Sequence, residues 1–126
     1  MLQAYRSLRD IELTFPDQGT CLDYLEKIRW NGNVTSPFTG SHQIRKVAKN
    51  TYECKDSGKR FTVLNNTIFA HSKMGLRHWF KVIWFFIFQP GISTLKVSER
   101  TGINQKTVWL MKQKLDRTDA FSLEHE

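Results

Sequence analysis

The segment LRHWFKVIWFFIF, residues 76–88, is apolar on nearly every side of a helix and gives way to Pro90-Gly91. Such a helix must be covered on several sides, or else it offers an adhesive face to a partner. Its most apolar part, VIWFFIF at 82–88, is too short to cross a bilayer and is preceded by His78 and Lys81. Residues 76–88 therefore predict a central helix, and the rest of the chain has to supply its surroundings.

On the N-terminal side, FPDQGTCLDYLEKIRW (15–30) reads as a second helix. Pro16 and Asp17 mark its start, and Cys21, Leu22, Leu25 and Ile28 recur at helical spacing. The opening MLQAYRSLRDIELTF has no clear period and predicts partial order at best. After a cluster of turn residues, NGNVTSPFTGS, the stretches HQIRKV and TYEC alternate around AKN as two short antiparallel strands would. KDSGKR is a second turn and FTVL a third strand. Beyond the central helix, STLKVSERTG and NQKTVWLMKQKLD predict two more helices separated at Gly102, followed by an acidic tail. The expected fold class is α+β. Its parts are an N-terminal arm and helix (1–34), a β module (35–70), a helical unit (71–118) and the tail (119–126).

Nine Phe, four Trp and three Tyr in 126 residues are enough to bury a core, as one domain or two small modules sharing it. Two cysteines are too few for a disulfide framework, and nothing at the N-terminus reads as a signal peptide. A soluble, cytoplasmic protein is expected. The net charge of +7 is unevenly spread: −1 over residues 1–34, +4 over 35–64, +7 over 65–117 and −3 over the last nine. A positive field confined to the middle and the C-terminal half suits a polyanionic partner, which would make the protein nucleoid-associated.

Residues 36–61, SPFTGSHQIRKVAKNTYECKDSGKRF, carry a second constraint. Cysteines at 36, 39 and 57 would complete C-x2-C-x14-C-x2-C with Cys54, close to the spacing at which two knuckle turns present four thiolates to zinc. Pro37, Gly40 and Gly58 suit such knuckles. In place of thiolates stand Ser36, Thr39 and Ser57, whose hydroxyls are poor zinc ligands. An irregular site from His42, Cys54 and Asp56 is a weaker alternative. The expectation is a metal-free hairpin without a cofactor. Phe38, Tyr52, Phe61, Val63 and Trp30 would clamp it against the central helix, with Cys54 left as a small apolar residue.

The two last helices have helix-turn-helix spacing. Ser98 is small where a second helix would cross, Gly102 can take the left-handed turn, and Val97, Ile103, Val108, Met111 and Leu115 can face inward. Asn104 is a plausible N-cap. The residues then looking outward are Gln105, Lys106, Trp109, Lys112 and Gln113, with Thr107 beside them. Lys can reach phosphates or guanine, and Gln can pair with adenine.

Taken together, about residues 11–117 resemble the N-terminal region of the zinc-ribbon DDE insertion-sequence transposases related to Merlin transposons. The matching pieces, in order, are the first long helix, WNG, SPFTG, YECKDSGKRF, NTIF, the Trp-rich helix and the helix-turn-helix. The resemblance implies a DNA-binding segment that in the family precedes an RNase H-like nuclease domain. Here only nine residues follow Arg117 and the twelve acids are scattered, whereas two-metal phosphoryl transfer needs acids held together on a rigid scaffold. A catalytically inactive protein is expected. Its partner would be double-stranded DNA, read by Asn104, Gln105, Lys106, Thr107, Trp109, Lys112 and Gln113. The backbone would be held by Arg45, Lys46, Lys49, Lys59 and Arg60 on the hairpin and by Arg77 near a loop. The competing expectation is a protein-interaction module. In that reading Trp79, Trp84, Phe85, Phe86 and Phe88 form an exposed ridge for homodimerisation, or for docking on a full-length transposase or host protein. Neither reading calls for a membrane or a small-molecule substrate.

Overall fold

A computed structural model describes residues 1–117; the acidic tail at 119–126 lies outside the described residues. In chain order the elements are α1 (Leu8–Thr14), α2 (Gln18–Arg29), β1 (Ile44–Ala48), β2 (Thr51–Cys54), β3 (Arg60–Phe61), α3 (Leu76–Phe88), α4 (Thr94–Thr101) and α5 (Gln105–Arg117). The three strands form one antiparallel sheet in the order β1-β2-β3. The fold class is α+β, as the patterning predicts.

The apolar segment is the hub. Helices α1, α2, α4 and α5 all pack on α3, and Leu76, Trp79, Phe80, Val82, Ile83, Trp84 and Phe85 are buried. The expected exposed ridge is therefore not presented. Trp79, Trp84 and Phe85 face the core, Phe86 is half-buried, and of the five only Phe88 is exposed, at 42%. Four surrounding helices supply the cover that an all-round apolar helix requires.

The opening segment is ordered, contrary to the sequence expectation. Ser7 caps α1 by accepting the amide of Asp10, and Met1, Leu2 and Ile11 are buried. The anchors are distant in sequence. The Trp84 indole donates to the Tyr5 carbonyl at 2.9 Å, and the Leu2 amide donates to the Tyr24 hydroxyl at 2.8 Å. Phe15 meets Tyr5, Tyr24 and Phe80 edge-on, with centroids 4.9 to 5.4 Å away, a preferred geometry for aromatic pairs.

Helix α2 begins where Asp17 predicts. Its carboxylate accepts the Thr20 amide at 2.8 Å while the Thr20 hydroxyl faces back to the Asp17 amide, a closed capping box. The N-terminus of α3 follows Gly75, which has no side chain to cap it, and the side-chain Oε1 of Gln18 accepts the Leu76 amide instead.

The sheet differs from expectation in two respects. The third strand covers Arg60–Phe61 where FTVL (61–64) was expected, because Thr62 and Asn65 bond to neighbouring backbone amides and turn the chain after Phe61. The aromatic clamp exists, but its closing ring lies on α2 rather than α3. Trp30, at the C-terminal end of α2, meets Tyr52 at 5.4 Å and Phe61 at 6.0 Å, and Phe38 meets Phe61. Glu26 of α2 accepts the Tyr52 hydroxyl at 2.8 Å. Among the described residues, no helix is long and apolar enough to cross a membrane.

Candidate nucleic-acid interface

The turn between α4 and α5 is built from local chemistry. Ser93 caps α4 by accepting the Lys96 amide, and α4 ends on Gly102 at φ 76°, a left-handed conformation that glycine adopts without steric cost. The Gly102 amide donates to the Ser98 carbonyl, and the Ser98 hydroxyl donates to the Ile103 carbonyl. The small residue at 98 thus both admits the crossing chain and pins it. Asn104 accepts the Lys106 amide at 2.8 Å, and Val97, Ile103, Val108, Met111 and Leu115 are buried between the helices and α3. The sequence expectation for this unit is met in its packing.

The outward side of α5 differs from the expected set in detail. Asn104, Gln105 and Lys106 are exposed and Thr107 is half-buried. Trp109 is 49% exposed and Leu110, which the sequence reading passed over, 48%. Lys112 turns onto the flank of the helix, bonding Asp116 at 2.8 Å with its ammonium 5.5 Å from the Phe86 ring, and Gln113 is half-buried. Lys114 and Arg117 are exposed and extend the cationic row to the end of the helix. Leu110 and Arg117 could have been found by continuing the spacing from Lys106, which returns to one face at Leu110, Gln113 and Arg117.

The five hairpin cations do not share one surface. Cross-strand register sets Arg45, Glu53 and Arg60 in one row on the outer face, with Arg45 bonding Glu53 at 2.8 Å. Lys46 belongs to the row of Tyr52 and Phe61, its ammonium 6.0 Å from the Tyr52 ring. Lys59 lies 5.3 Å from the Phe38 ring, and Lys49 sits in the β1–β2 turn near Gly19 of α2. Arg77 lies in the first turn of α3, and its Nε donates to the Phe15 carbonyl at 2.8 Å. That guanidinium is half-buried and ties α3 to the chain entering α2.

Positions 36, 39, 54 and 57 lie in two tight turns. Gly40 donates to the Ser36 carbonyl and Gly58 to the Cys54 carbonyl, with φ of 71° and 72°, so the two turns are near copies. Ser36 is buried and its hydroxyl accepts the amides of Phe38 and Thr39. Hydrogen bonds from the Ser36 and Ser57 hydroxyls, the Ser57 amide and the Thr39 hydroxyl lower the Cys54 thiol to about 6 against the opposing effect of burial. Cys54 is fully buried as the small residue expected there, and it also sits among hydroxyls that face its sulfur. One thiol among three hydroxyls does not fit a structural zinc, which takes four sulfur or imidazole ligands. No cluster of three His, Cys, Asp or Glu side chains suited to a metal ion forms among the described residues, so His42, Cys54 and Asp56 do not make one.

No family model matches the chain, and no solved structure matches it. It is similar to a Halobacterium salinarum protein described as an uncharacterized protein in the transposable element ISH50, with 26% identity over 108 residues. The match takes in 82% of this chain and 36% of that protein, so the chain spans about a third of its relative's length.

Proposed function

We propose that this chain is a transposon-related, non-catalytic DNA-binding protein that docks α5 in the major groove of a duplex, as a binder of element ends or a regulator. One observation carries the reading: a tight, glycine-turned helix pair whose second helix exposes Gln105, Lys106, Trp109, Leu110, Lys114 and Arg117, with Asp116 its only acid and that one bonded to Lys112. The similarity to a transposable-element protein supports the biological setting. Arg45 and Arg60 on the outer sheet face, and Lys96 and Arg100 on α4, are available for phosphate contacts.

The test is fluorescence anisotropy of wild type, Lys106→Ala and Arg117→Ala on a 20-base-pair duplex across a salt series. Each substitution should weaken binding on all sequences and lower the slope of log affinity against log salt by about 0.9 per lost phosphate contact. Lys112→Ala should do less, because Lys112 is already bonded to Asp116. Unchanged affinity and slope in the Lys106 and Arg117 variants would show that α5 does not meet the duplex. The burial of Trp79, Trp84 and Phe85 removes the ridge on which the interaction-module reading stood.

A further inference from the structure

The exposed side of α5 is not a plain cationic surface. Trp109 and Leu110, each about half exposed (49% and 48%), lie midway between Lys106 and the Lys114–Arg117 end of the helix. They border a groove of about 400 Å³ between α5 and residues 71–74, with Lys73, Lys114 and Arg117 on its rim. Gln105, Trp109 and Gln113 recur at intervals of four, so amide, indole and amide follow one another every ~6 Å along the helix. Large apolar side chains left open to water at the centre of such a face are unfavourable unless something covers them. A second copy laid on the same face would set Lys106, Lys114 and Arg117 against their own counterparts. A duplex instead brings phosphates to the cations and, on the major-groove side, one apolar group for indole and isobutyl side chains to cover: the thymine C5-methyl. Gln has the matching donor–acceptor pair for adenine N6 and N7, which is the partner of that thymine. No arginine stands among residues 104–113 and Lys112 is bonded to Asp116, so Lys106 is the one outward cation there that can reach a guanine edge, against two glutamines suited to adenine.

We infer that α5 reads A·T base pairs, Trp109 and Leu110 covering thymine methyl groups while Gln105 and Gln113 bond adenine edges. This rests on the proposed docking of α5 in the major groove and names the base pairs that docking selects.

The probe is a duplex enriched from a randomised 20-base-pair library by the full chain, resynthesised with deoxyuridine in place of each thymine in turn. Uracil keeps every hydrogen-bonding edge and lacks only the methyl. Two or three adjacent A·T pairs are expected in the enriched site, and at least one deoxyuridine replacement there should weaken binding about fourfold, the value of one buried methyl-sized group. Trp109→Ala and Leu110→Ala should bind the thymine and uracil duplexes alike while keeping the wild-type salt slope, and Trp109→Phe should restore part of the difference. Tight, salt-dependent binding with no penalty from any deoxyuridine overturns the inference and leaves the docking intact. A penalty that persists in both alanine variants also overturns it, since the methyl would then act through duplex shape. Failure to bind any duplex overturns the docking and this inference together, as does loss of self-association in the two alanine variants without change in DNA affinity.

Discussion

Cys21 and Cys54 are both closed to solvent, yet their surroundings push the two thiols in opposite directions. Cys21 lies in the helical body, within the apolar core, and burial pushes its thiol up to about 12. Cys54 lies between the two knuckle turns, where the hydroxyls of Ser36 and Ser57 bring it down to about 6. Burial holds the proton on the first thiol, and the hydroxyls around the second favour its release. The helical body is held by removing apolar surface from water, so its polar atoms are few and its rings interlock. The ribbon module has a two-residue third strand and two tight turns, and depends on short-range hydrogen bonds plus the rings that reach Trp30. Such a module has little core of its own, and what a metal does elsewhere is here divided between a polar knot and an aromatic clasp.

The largest break in this comparison is expected in the body. Phe80 is fully buried, 4.9 Å from the Phe15 ring and 5.7 Å from that of Tyr24. Phe80→Ala should lower unfolding free energy by about 3–5 kcal/mol in denaturant titration. A loss below about 1 kcal/mol would mean that α3 is not the hub.

The next test supplies a metal site. Positions 36, 39, 54 and 57 still converge on one point, with Thr39 Oγ1 3.6 Å from Cys54 Sγ. Joint substitution Ser36→Cys, Thr39→Cys and Ser57→Cys should therefore yield a chain that holds one zinc per molecule, measured by elemental analysis. At free zinc a hundredfold above Kd the gain in stability should be about 2.7 kcal/mol, reversed by chelator. If the triple variant bound no zinc, the turns would not be the matched knuckles their backbone suggests.

Asn50 tests the tether between the two regions. It is buried in the β1–β2 turn at φ 60°, and its amide donates to Asp23 at 3.0 Å and Glu26 at 2.8 Å, both on α2. Asn50→Ala removes both charge-assisted bonds and puts alanine in a left-handed conformation, so a loss of about 1–3 kcal/mol is expected from the denaturation midpoint. Asn50→Gly relieves the backbone without restoring the bonds. If glycine recovered full stability, the amide contacts would be incidental.

These residues also mark how far the sequence could be read. The α4–α5 turn was legible because Ser98, Gly102, Ile103 and Asn104 settle it among themselves within a few residues. The knuckles were legible for the same reason, through Pro37, Gly40 and Gly58. What escaped was set by partners far along the chain. Helix α1 has only a short cap at Ser7 to announce it and is ordered by Trp84 and Tyr24. Arg77 was expected at a phosphate, and nothing local to it announces the bond from its Nε to the Phe15 carbonyl. Lys112 has the spacing of an outward residue, but Phe86 on α3 and Asp116 draw it to the flank. Local periodicity carries no information about such partners, and it placed the aromatic clasp against α3 when Trp30 of α2 closes it.

The test that separates the two cysteines most directly is read from pH. For Cys54 the folded thiol titrates near 6 and the unfolded one near 9. Between those values the unfolded chain binds a proton that the folded chain does not, so stability must rise with pH across that window and level off above it. Below pH 6 this contribution is absent. For Cys21 the order is reversed, with unfolded titration near 9 and folded near 12, so its contribution falls as pH climbs past 9. Tyr52, raised to about 12 by burial and its bond to Glu26, adds to the alkaline fall, and His78, lowered by burial and by Lys81, adds to the acid side. Subtracting a variant's curve from the wild type's cancels those shared terms. The wild type minus Cys54→Ser difference should slope upward from pH 6 to 9, and the Cys21→Ala difference should be flat there and bend down above 9. A flat Cys54 difference would mean that the hydroxyls around the sulfur leave it an ordinary thiol, and the ribbon would then stand on its ring contacts and backbone turns alone.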